Sequence, residues 1–328
     1  MSTWNGLCFF SRRRIAFLGQ AGNTTDQQIH GIKICLALER DFELIIEGHN
    51  EGAYHSAVII NAGVKHTFKC DGSKVFLIYL LPEIQSAQQI RWEFLNNDKD
   101  NCNAGVYDIP KEFIKESLPF LPQVLREYSK WGGKCKKVFQ ECDNVLHGLG
   151  KIRRRQISTS TALAEKINGS VKKTINYIYN EIENQIKSSE FDLSRFGTSV
   201  ICGEIGLPPN KVKWLEKVFK TETGITIGNY FRDIQMLASL NLYAVIEGLR
   251  EDKEKELLEA LKNPMLTEEE RNKLGELLEE ISRGTFVTPI ADSVGFGDLS
   301  NFDARIRSRL GISHADLRGE SKFYTCHE

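Results

Sequence analysis

The sequence lacks the features that mark several large classes of protein. It has almost no net charge, because 43 Lys and Arg stand against 44 Asp and Glu, so no overall field would draw the chain to nucleic acid or to a lipid surface. No apolar run approaches the roughly 18 residues of a membrane-spanning helix. The short apolar stretch from Leu7 to Phe10 precedes Arg12, whereas a secretory signal has its basic residues first. We therefore expect a cytoplasmic protein that makes no contact with a membrane.

Cysteine pairs and catalytic motifs are missing as well. The eight cysteines are scattered, and no Cys-x-x-Cys pair occurs, which is typical of reduced thiols and not of a disulfide scaffold or a zinc finger. The sequence contains no glycine-rich phosphate loop and no serine nucleophile elbow, and no Ser/His/Asp arrangement can be argued. We therefore predict no catalytic residues, no enzyme activity and no cofactor.

What the sequence does contain is the composition of an ordinary globular protein, with 41% hydrophobic and 27% charged residues. Its 328 residues exceed the roughly 100 to 200 of a typical domain, so we expect more than one domain. Before Glu83 short strands are separated by turns rich in Gly and Asn, which is typical of a sandwich or barrel. In one strand two sets of residues alternate: Ile32, Ile34, Leu36 and Leu38 with Lys33, Cys35, Ala37 and Glu39. From about residue 84 the apolar residues recur at helical spacing.

A basic segment rich in Ser and Thr at 151–165 has no periodicity and predicts a linker. It divides the chain into a domain at 1–150 and an all-helical domain at 166–328. Residues 249–284 stand apart within the second domain, with 7 Lys and Arg against 11 Asp and Glu. Two amphipathic helices are predicted there, the second opening with the capping box of Thr267 and Glu270. We interpret this segment as an inserted acidic helical hairpin.

A helix-turn-helix is predicted near the end of the chain. Residues 290–302 read IADSVGFGDLSNF, which places the small Ala291 at a helix crossing, then a glycine turn, then a second helix capped near Asp298. This segment resembles the second helix-turn-helix of the AraC/XylS family of transcription regulators. Ala304 stands where members usually carry Arg, and Ile306-Arg307 where they carry Phe-Lys.

Two further segments resemble the same family. Residues 201–211, ICGEIGLPPNK, are similar to the start of its first helix-turn-helix, although about three more residues than usual separate Gly206 from Phe219. Residues 58–66, VIINAGVKH, are similar to a turn in the small cupin barrel of these regulators. The hairpin at 249–284 lengthens a connection that is short in the family, and this could change how the two recognition helices are placed on DNA.

The resemblance implies an α+β multidomain protein, in which a cupin-like β-barrel with a helical extension precedes an all-α domain carrying two helix-turn-helix units. It implies a sequence-specific DNA-binding transcription regulator that responds to a small-molecule effector. Double-stranded DNA is then the main partner, RNA polymerase is a further one, and a homodimer is expected. In the expected mechanism the effector shifts the populations of dimer or interdomain arrangements.

The resemblance also implies site residues. The candidates for DNA contact lie on the second helix of each unit: Asn210, Lys211, Lys213, Trp214, Lys217, Ser300, Asn301, Ala304, Arg305, Arg307 and Arg309. The candidates for effector contact are assigned from their strand positions at the mouth of the barrel: His30, His66, Phe68 and Tyr79.

Two other interpretations stay open. Residues 190–328 hold 18 Lys and Arg against 24 Asp and Glu, which is acidic for a DNA-binding half. A degenerate family member that binds a protein through the acidic hairpin is therefore one alternative. A cupin metalloenzyme is the other, since His30, His49, His55 and His66 lie in the strand region. No His-x-His pair occurs among them, so we predict no metal site.

Overall fold

The computed structural model of the chain describes residues 4–11, 13–28, 30–48, 51–96, 102–103, 105–156, 168–188, 191–263, 266–283, 287–310 and 322–325. Its N-terminal part consists of strands and its C-terminal part mainly of helices, so the predicted fold class is confirmed. The strands are β1 (Asn5–Phe10), β2 (Arg14–Gln20), β3 (Thr24–Gln28), β4 (Ile32–Ala37), β5 (Phe42–Ile46), β6 (Ala53–His55), β7 (Ala57–Ile60), β8 (Lys65–Lys69), β9 (Lys74–Leu80), β10 (Cys102–Asn103), β11 (Val106–Asp108) and β12 (Lys322–Thr325).

The strands form two sheets. The larger sheet has the order β10-β11-β7-β4-β9-β2-β1-β12, and the smaller one has the order β3-β8-β5-β6. All pairings are antiparallel except the last of the larger sheet, in which β12 runs parallel to β1 and pairs Leu7 with Lys322. The last described strand, β12, therefore forms one edge of the larger sheet, next to the first strand of the chain.

Strand β4 shows why the two alternating sets of residues are both buried. Ile32, Ile34 and Leu36 pack on the outer face of the larger sheet, in a core shared with the helices that follow. Cys35 belongs to the other core, between the two sheets, and Lys33 on the same face is also buried. A sheet covered on both faces buries both sets of side chains. The alternating pattern of β4 therefore divides its side chains between two hydrophobic cores, one on each face of the larger sheet.

Four helices follow the strands: α1 (Gln85–Ile90), α2 (Lys111–Ser117), α3 (Leu121–Glu127) and α4 (Cys135–Gln156). Their apolar side chains, such as Ile90, Val124 and Val145, cover the outer face of the larger sheet. This is the predicted helical extension. Helix α4 runs six residues into the segment interpreted as a linker, so residues 151–156 are helical; residues 157–165 lie outside the described part of the chain.

The C-terminal part contains seven more helices among the described residues: α5 (Gly169–Ser188), α6 (Thr198–Glu204), α7 (Val212–Thr223), α8 (Ile227–Leu261), α9 (Glu268–Arg283), α10 (Val287–Ser293) and α11 (Leu299–Leu310). The apolar stripe predicted on α5 is buried at Val171, Ile178 and Ile182. These side chains belong to the same core as the space between the sheets. No described helix is long and apolar enough to cross a membrane.

Helix α8 has 35 residues and is about 52 Å long at 1.5 Å per residue. The sequence predicted a break near Leu249, but α8 passes through this point without interruption. Its second half and α9 form the acidic hairpin. The predicted capping box is present, since Glu270 Oε2 accepts hydrogen bonds from Thr267 N at 2.9 Å and from Thr267 Oγ1 at 2.8 Å. The hairpin is therefore an extension of the connecting helix.

Candidate nucleic-acid interface

The two predicted helix-turn-helix units have matching turns. Gly206 follows α6 with φ 78°, and Gly295 follows α10 with φ 75°. In each case the next residue closes the helix with a backbone bond to the residue five positions earlier: Leu207 N to Cys202 O, and Phe296 N to Ala291 O, both 2.9 Å. This is the six-to-one bond of a Schellman motif, which glycine accommodates because it lacks a Cβ. The same turn geometry thus occurs in both units.

The second unit is anchored on α8. Gln235 is buried and donates from Nε2 to the carbonyl of Val294 at 2.5 Å, which fixes the turn after α10. A Cβ at Gly295 would overlap the ring of Phe191, so the turn also needs glycine for space. Helix α11 then begins at a cap in which Asp298 Oδ1 accepts from the backbone of Asn301 at 2.7 Å. Local hydrogen bonds of this kind set the direction in which α11 leaves the turn.

Helix α7 exposes all of its predicted DNA contacts. A 3-10 turn at Pro209–Lys211 precedes the helix, and it lies within the longer Gly206–Phe219 spacing noted in the sequence. Trp214 has 38% of its surface exposed, and Lys211 Nζ lies 5.7 Å from the centre of its ring. The other candidates are exposed as well: Asn210, Lys213 and Lys217. Leu215 and Phe219 bury the opposite face of the helix.

Helix α11 exposes only part of its predicted set. Ser300, Asn301 and Ala304 are exposed near its N-terminus. Arg307 is exposed too, but its Nε lies 2.6 Å from Asp303 Oδ2 in an ion pair one turn apart. Arg305 is half-buried, and burial lowers the pKa of its guanidinium. Side chains that could reach bases are therefore concentrated in the first turns of the helix.

Arg309 is placed differently from the prediction. It is 6% exposed, and its Nε lies 3.0 Å from Asp233 Oδ1 on α8. Its Nη1 also donates to the carbonyl of Gln28 in β3 at 2.6 Å. A guanidinium that joins two elements in this way is not available to a phosphate. In this arrangement Arg309 joins α11 to α8 and to β3.

Two of the predicted effector residues lie at the boundary between the sheets and the helices. His30 and Tyr79 line a narrow cleft that is partly open to solvent. On the other side, α8 contributes Asp233, Met236 and Leu237. His30 Nδ1 lies 3.0 Å from Asp233 Oδ2, directly across the cleft. A molecule bound there would contact both parts of the protein.

The other two predicted effector residues surround a lysine that the sequence did not single out. Lys33 is 1% exposed, and its Nζ lies 4.5 Å from the ring centre of Phe68. The amine donates to Gln27 Oε1 at 2.7 Å and lies 3.3 Å from His66 Nε2. Burial lowers the pKa of Lys33. Burial and the nearby Lys33 also lower the pKa of His66 to about 3, so its ring is neutral and can accept the bond.

A short polar path connects this interior to α11. Gln27 is fully buried; its Oε1 accepts from Lys33, and its Nε2 donates to the carbonyl of Arg309 at 2.9 Å. No sequence pattern singled out Gln27 or Asp233. The one available signal was Lys33 itself, a charge within an otherwise apolar strand, which becomes informative only if both faces of β4 are known to be buried.

The described residues also show where potential metal ligands and cysteine thiols lie. Within the described ranges, no three His, Cys, Asp or Glu side chains are grouped so that they could hold a metal ion; His49 lies outside those ranges. Cys142 is a buried free thiol, so it is not bonded to Cys135. Cys135 is disulfide-bonded, which departs from the expectation that all of the thiols are reduced.

No protein-family model matches the chain, and no curated protein matches its sequence. Solved structures resemble it. An apo variant of ToxT from Vibrio cholerae is 10% identical over 93% of this chain and 96% of that one, with a TM-score of 0.49. Wild-type ToxT from Vibrio cholerae bound to an unsaturated fatty acid is 12% identical over 93% and 94%, with a TM-score of 0.43. The AraC-like transcriptional activator CuxR is 10% identical over 69% and 76%, with a TM-score of 0.31.

Proposed function

We propose that the protein is a sequence-specific DNA-binding transcription regulator of the AraC/XylS type, without enzyme activity, whose DNA binding responds to a small organic acid. The observation that carries the proposal is the repeated turn: Gly206 and Gly295 have nearly the same φ and the same closing bond. Two units of one geometry suit the reading of two successive blocks of DNA.

The side chains on the second helices support DNA contact. Lys213 and Lys217 on α7 can pair with phosphates, and Ser300 at the start of α11 can reach base edges. The hairpin has a local charge of -4 and is repelled by phosphates, so this proposal directs it away from the duplex. DNA affinity then depends on a small basic face and falls steeply with salt.

The cleft supports an acidic effector. Three arginines line it, and two of them are already paired: Arg14 with Asp143 and Arg309 with Asp233. The third, Arg13, has a buried Nε without a hydrogen-bond partner among the described residues. A carboxylate that binds this guanidinium, with an apolar body against Met236, would contact the sheets and α8 together. Such a ligand shifts an equilibrium between two arrangements only by its difference in affinity for them.

Selection of bound fragments from genomic DNA tests the DNA-binding part. The purified chain is incubated with fragments at low and at physiological salt, beside a variant carrying Arg305→Ala and Arg307→Ala and one carrying Lys213→Ala and Lys217→Ala. Enrichment of a two-block motif that at least one variant loses supports the proposal. Absence of any enriched motif at either salt contradicts it.

Thermal stabilisation tests the effector. A panel of aliphatic and aromatic carboxylic acids is compared with the corresponding methyl esters, on the native chain and on Arg13→Met. We expect an acid to raise the melting temperature where its ester and the variant show no change. Equal stabilisation by acid and ester would contradict an anionic effector. The homodimer and a contact with RNA polymerase stay predictions.

The acidic hairpin favours one alternative function. Leu258 on α8 is 45% exposed and Leu277 on α9 is 47% exposed, and both lie among carboxylates. Apolar side chains within an acidic surface suit a protein partner with a basic rim. Deleting residues 250–283 separates the two functions, because a regulator keeps or improves its DNA binding, whereas a protein that acts through the hairpin loses its partner.

A further inference from the structure

The two helix-turn-helix units differ in how their basic side chains are used. On α7 and the 3-10 turn before it, four lysines are exposed: Lys211, Lys213, Lys217 and Lys220. In the part of the chain that the structure describes, none of the four forms an ion pair; Lys211 lies over the ring of Trp214. The contact of α7 with the strand region is at its far end, where Arg91 Nη1 donates to the carbonyl of Glu222 at 2.9 Å. The face that could meet DNA is therefore free.

On α11, the arginines have intramolecular partners. Arg307 pairs with Asp303, and Arg309 is buried between Asp233 and the carbonyl of Gln28. Arg305 is half-buried. The guanidinium groups that would hold phosphates along this helix are thus directed towards the protein, whereas the lysines of α7 are directed towards solvent.

The second unit is also fastened to the sheets at two places. At the first place, Gln27 and Gln28 of β3 bond to Arg309, and His30 meets Asp233. At the second place, β12 pairs with β1, and the ring of Tyr324 stacks on Phe9 with centres 5.1 Å apart. The first joint touches the last turn of α11, and the second follows it in the chain.

These joints limit how α11 can meet DNA. The major groove is about 12 Å wide and has phosphates along both sides, so a recognition helix needs both of its flanks free. Strand β3 lies against the C-terminal end of α11, where the backbone carbonyl of Arg309 accepts from Gln27. Only the first turns of α11, where Ser300 is exposed, are then free to approach a base pair.

We propose that the two units contribute unequally to DNA binding. Helix α7 contacts DNA in the native arrangement, whereas α11 is held against the protein by the joint of Arg309, Asp233 and His30 until that joint opens. This rests on the proposed function and deepens it by naming which helix is regulated. The native chain then reads the DNA block under α7 strongly and the second block weakly. Opening the joint adds the second block without changing the first.

Fluorescence anisotropy on the full chain tests the division. The duplexes carry the selected two-block motif or a version with either block scrambled. For the native chain we expect about a tenfold or greater loss when the α7 block is scrambled, and less than threefold for the other block. Lys217→Ala should weaken binding about fivefold, whereas Arg307→Ala should have little effect, since a phosphate contact is lost only in the first case.

A release variant tests the joint. His30→Ala with Tyr324→Ala removes one side chain from each attachment. The matched control is Thr25→Ala with Lys322→Ala, two exposed residues in β3 and β12. In the release variant, scrambling the second block should now cost about tenfold, and adding Arg307→Ala should cost about fivefold. The control should behave as the native chain does.

Three results of the binding measurements would overturn the inference. They are an equal loss of affinity when either block is scrambled for the native chain, an effect of Arg307→Ala as large as that of Lys217→Ala, or a release variant whose affinity does not depend on the second block. The first two comparisons need no release variant and so stand even if it folds poorly. Hydrogen exchange separates this inference from the proposed function. Faster exchange of α11 amides in the release variant than in the control supports the joint even if no specific DNA is found, and unchanged exchange rejects it.

Discussion

Arg309 and Asp233 form a buried ion pair between α11 and α8, with Nε 3.0 Å from Oδ1 and both side chains less than a tenth exposed. Their positions in the chain are 76 residues apart. A buried pair of this kind contributes little over an apolar pair of the same shape, but it is costly to break, because the remaining charge has no partner.

Asp233→Asn should lower the free energy of unfolding by about 3 to 5 kcal/mol, since Arg309 would keep a buried charge. The double variant Asp233→Leu with Arg309→Met should recover most of this loss. Urea unfolding measures both. Glu259→Gln, which removes an exposed ion pair with Lys262, serves as the control and should leave the midpoint unchanged. A double variant as unstable as the single one would show that the pair itself is not the cause.

The neutral ring of His66 predicts acid sensitivity. Its pKa is lowered to about 3 in the folded chain by burial and by Lys33, whereas an unfolded histidine titrates near pH 6.5. The unfolded state therefore binds more protons below pH 6.5, and folding loses up to about 1.4 kcal/mol for each pH unit as the pH falls from 6.5 towards 3.

His66→Gln should remove this part of the pH dependence, because glutamine can still accept from Lys33 without titrating. Urea unfolding at pH 6.5, 5.5 and 4.5 gives the difference between the variant and the native chain. His147→Gln, at an exposed position in α4, is the control and should follow the native curve. A difference that stays constant with pH would contradict a depressed pKa at His66.

Lys33 predicts a trend at the other end of the pH scale. Burial lowers its pKa from the ordinary lysine value of about 10.5, so between the folded pKa and about 10.5 the unfolded state binds the additional proton. Stability from this group therefore rises with pH through that window, by up to about 1.4 kcal/mol per unit.

Across the pH window between its folded pKa and about 10.5, the native chain should gain stability relative to Lys33→Met, in which the group cannot titrate. Both proteins contain the same cysteines and tyrosines. The titration of these groups therefore contributes equally to the pH dependence of both and cancels in the difference. Parallel unfolding curves for the two proteins across this range would indicate that Lys33 stays charged when buried. Lys69→Met, on β8, gives the reference for removing an accessible lysine.

The capping box predicts a local effect in the hairpin. Thr267→Ala removes the hydroxyl that accepts from Glu270 N at 3.3 Å and should cost α9 about 1 kcal/mol. Amide exchange in the first turns of α9 should rise about fivefold, while α5 is unchanged. Thr267→Ser retains the hydroxyl and is the matched control. Equal exchange in the two variants would mean that the cap does not hold the helix end.

Local features of this fold were predictable from the sequence. The turn after α10, the cap at Thr267 and the apolar stripe of α5 each depend on residues within one or two helical turns of one another. These signals are short in range, so a single sequence contains them in full.

The joints between distant segments were not predictable in this way. Arg309 reads as one more basic residue on a recognition helix until α11 is placed against β3. Lys33 reads as the polar side of a half-exposed strand until both faces of β4 are covered. In each case the role depends on which elements meet in space, and neither periodicity nor spacing contains that information.

The pairing of β12 with β1 also bears on how the chain is made. Leu7 and Lys322 become neighbours, although almost the whole chain lies between them. At a synthesis rate of about 5 to 20 residues per second, β1 leaves the ribosome tens of seconds before its partner exists. During that interval the edge of β1 is open, and open edges invite pairing with other chains. The edge of β1 is therefore open to other chains until β12 has emerged, and chaperones that cover strand edges have most effect during that interval.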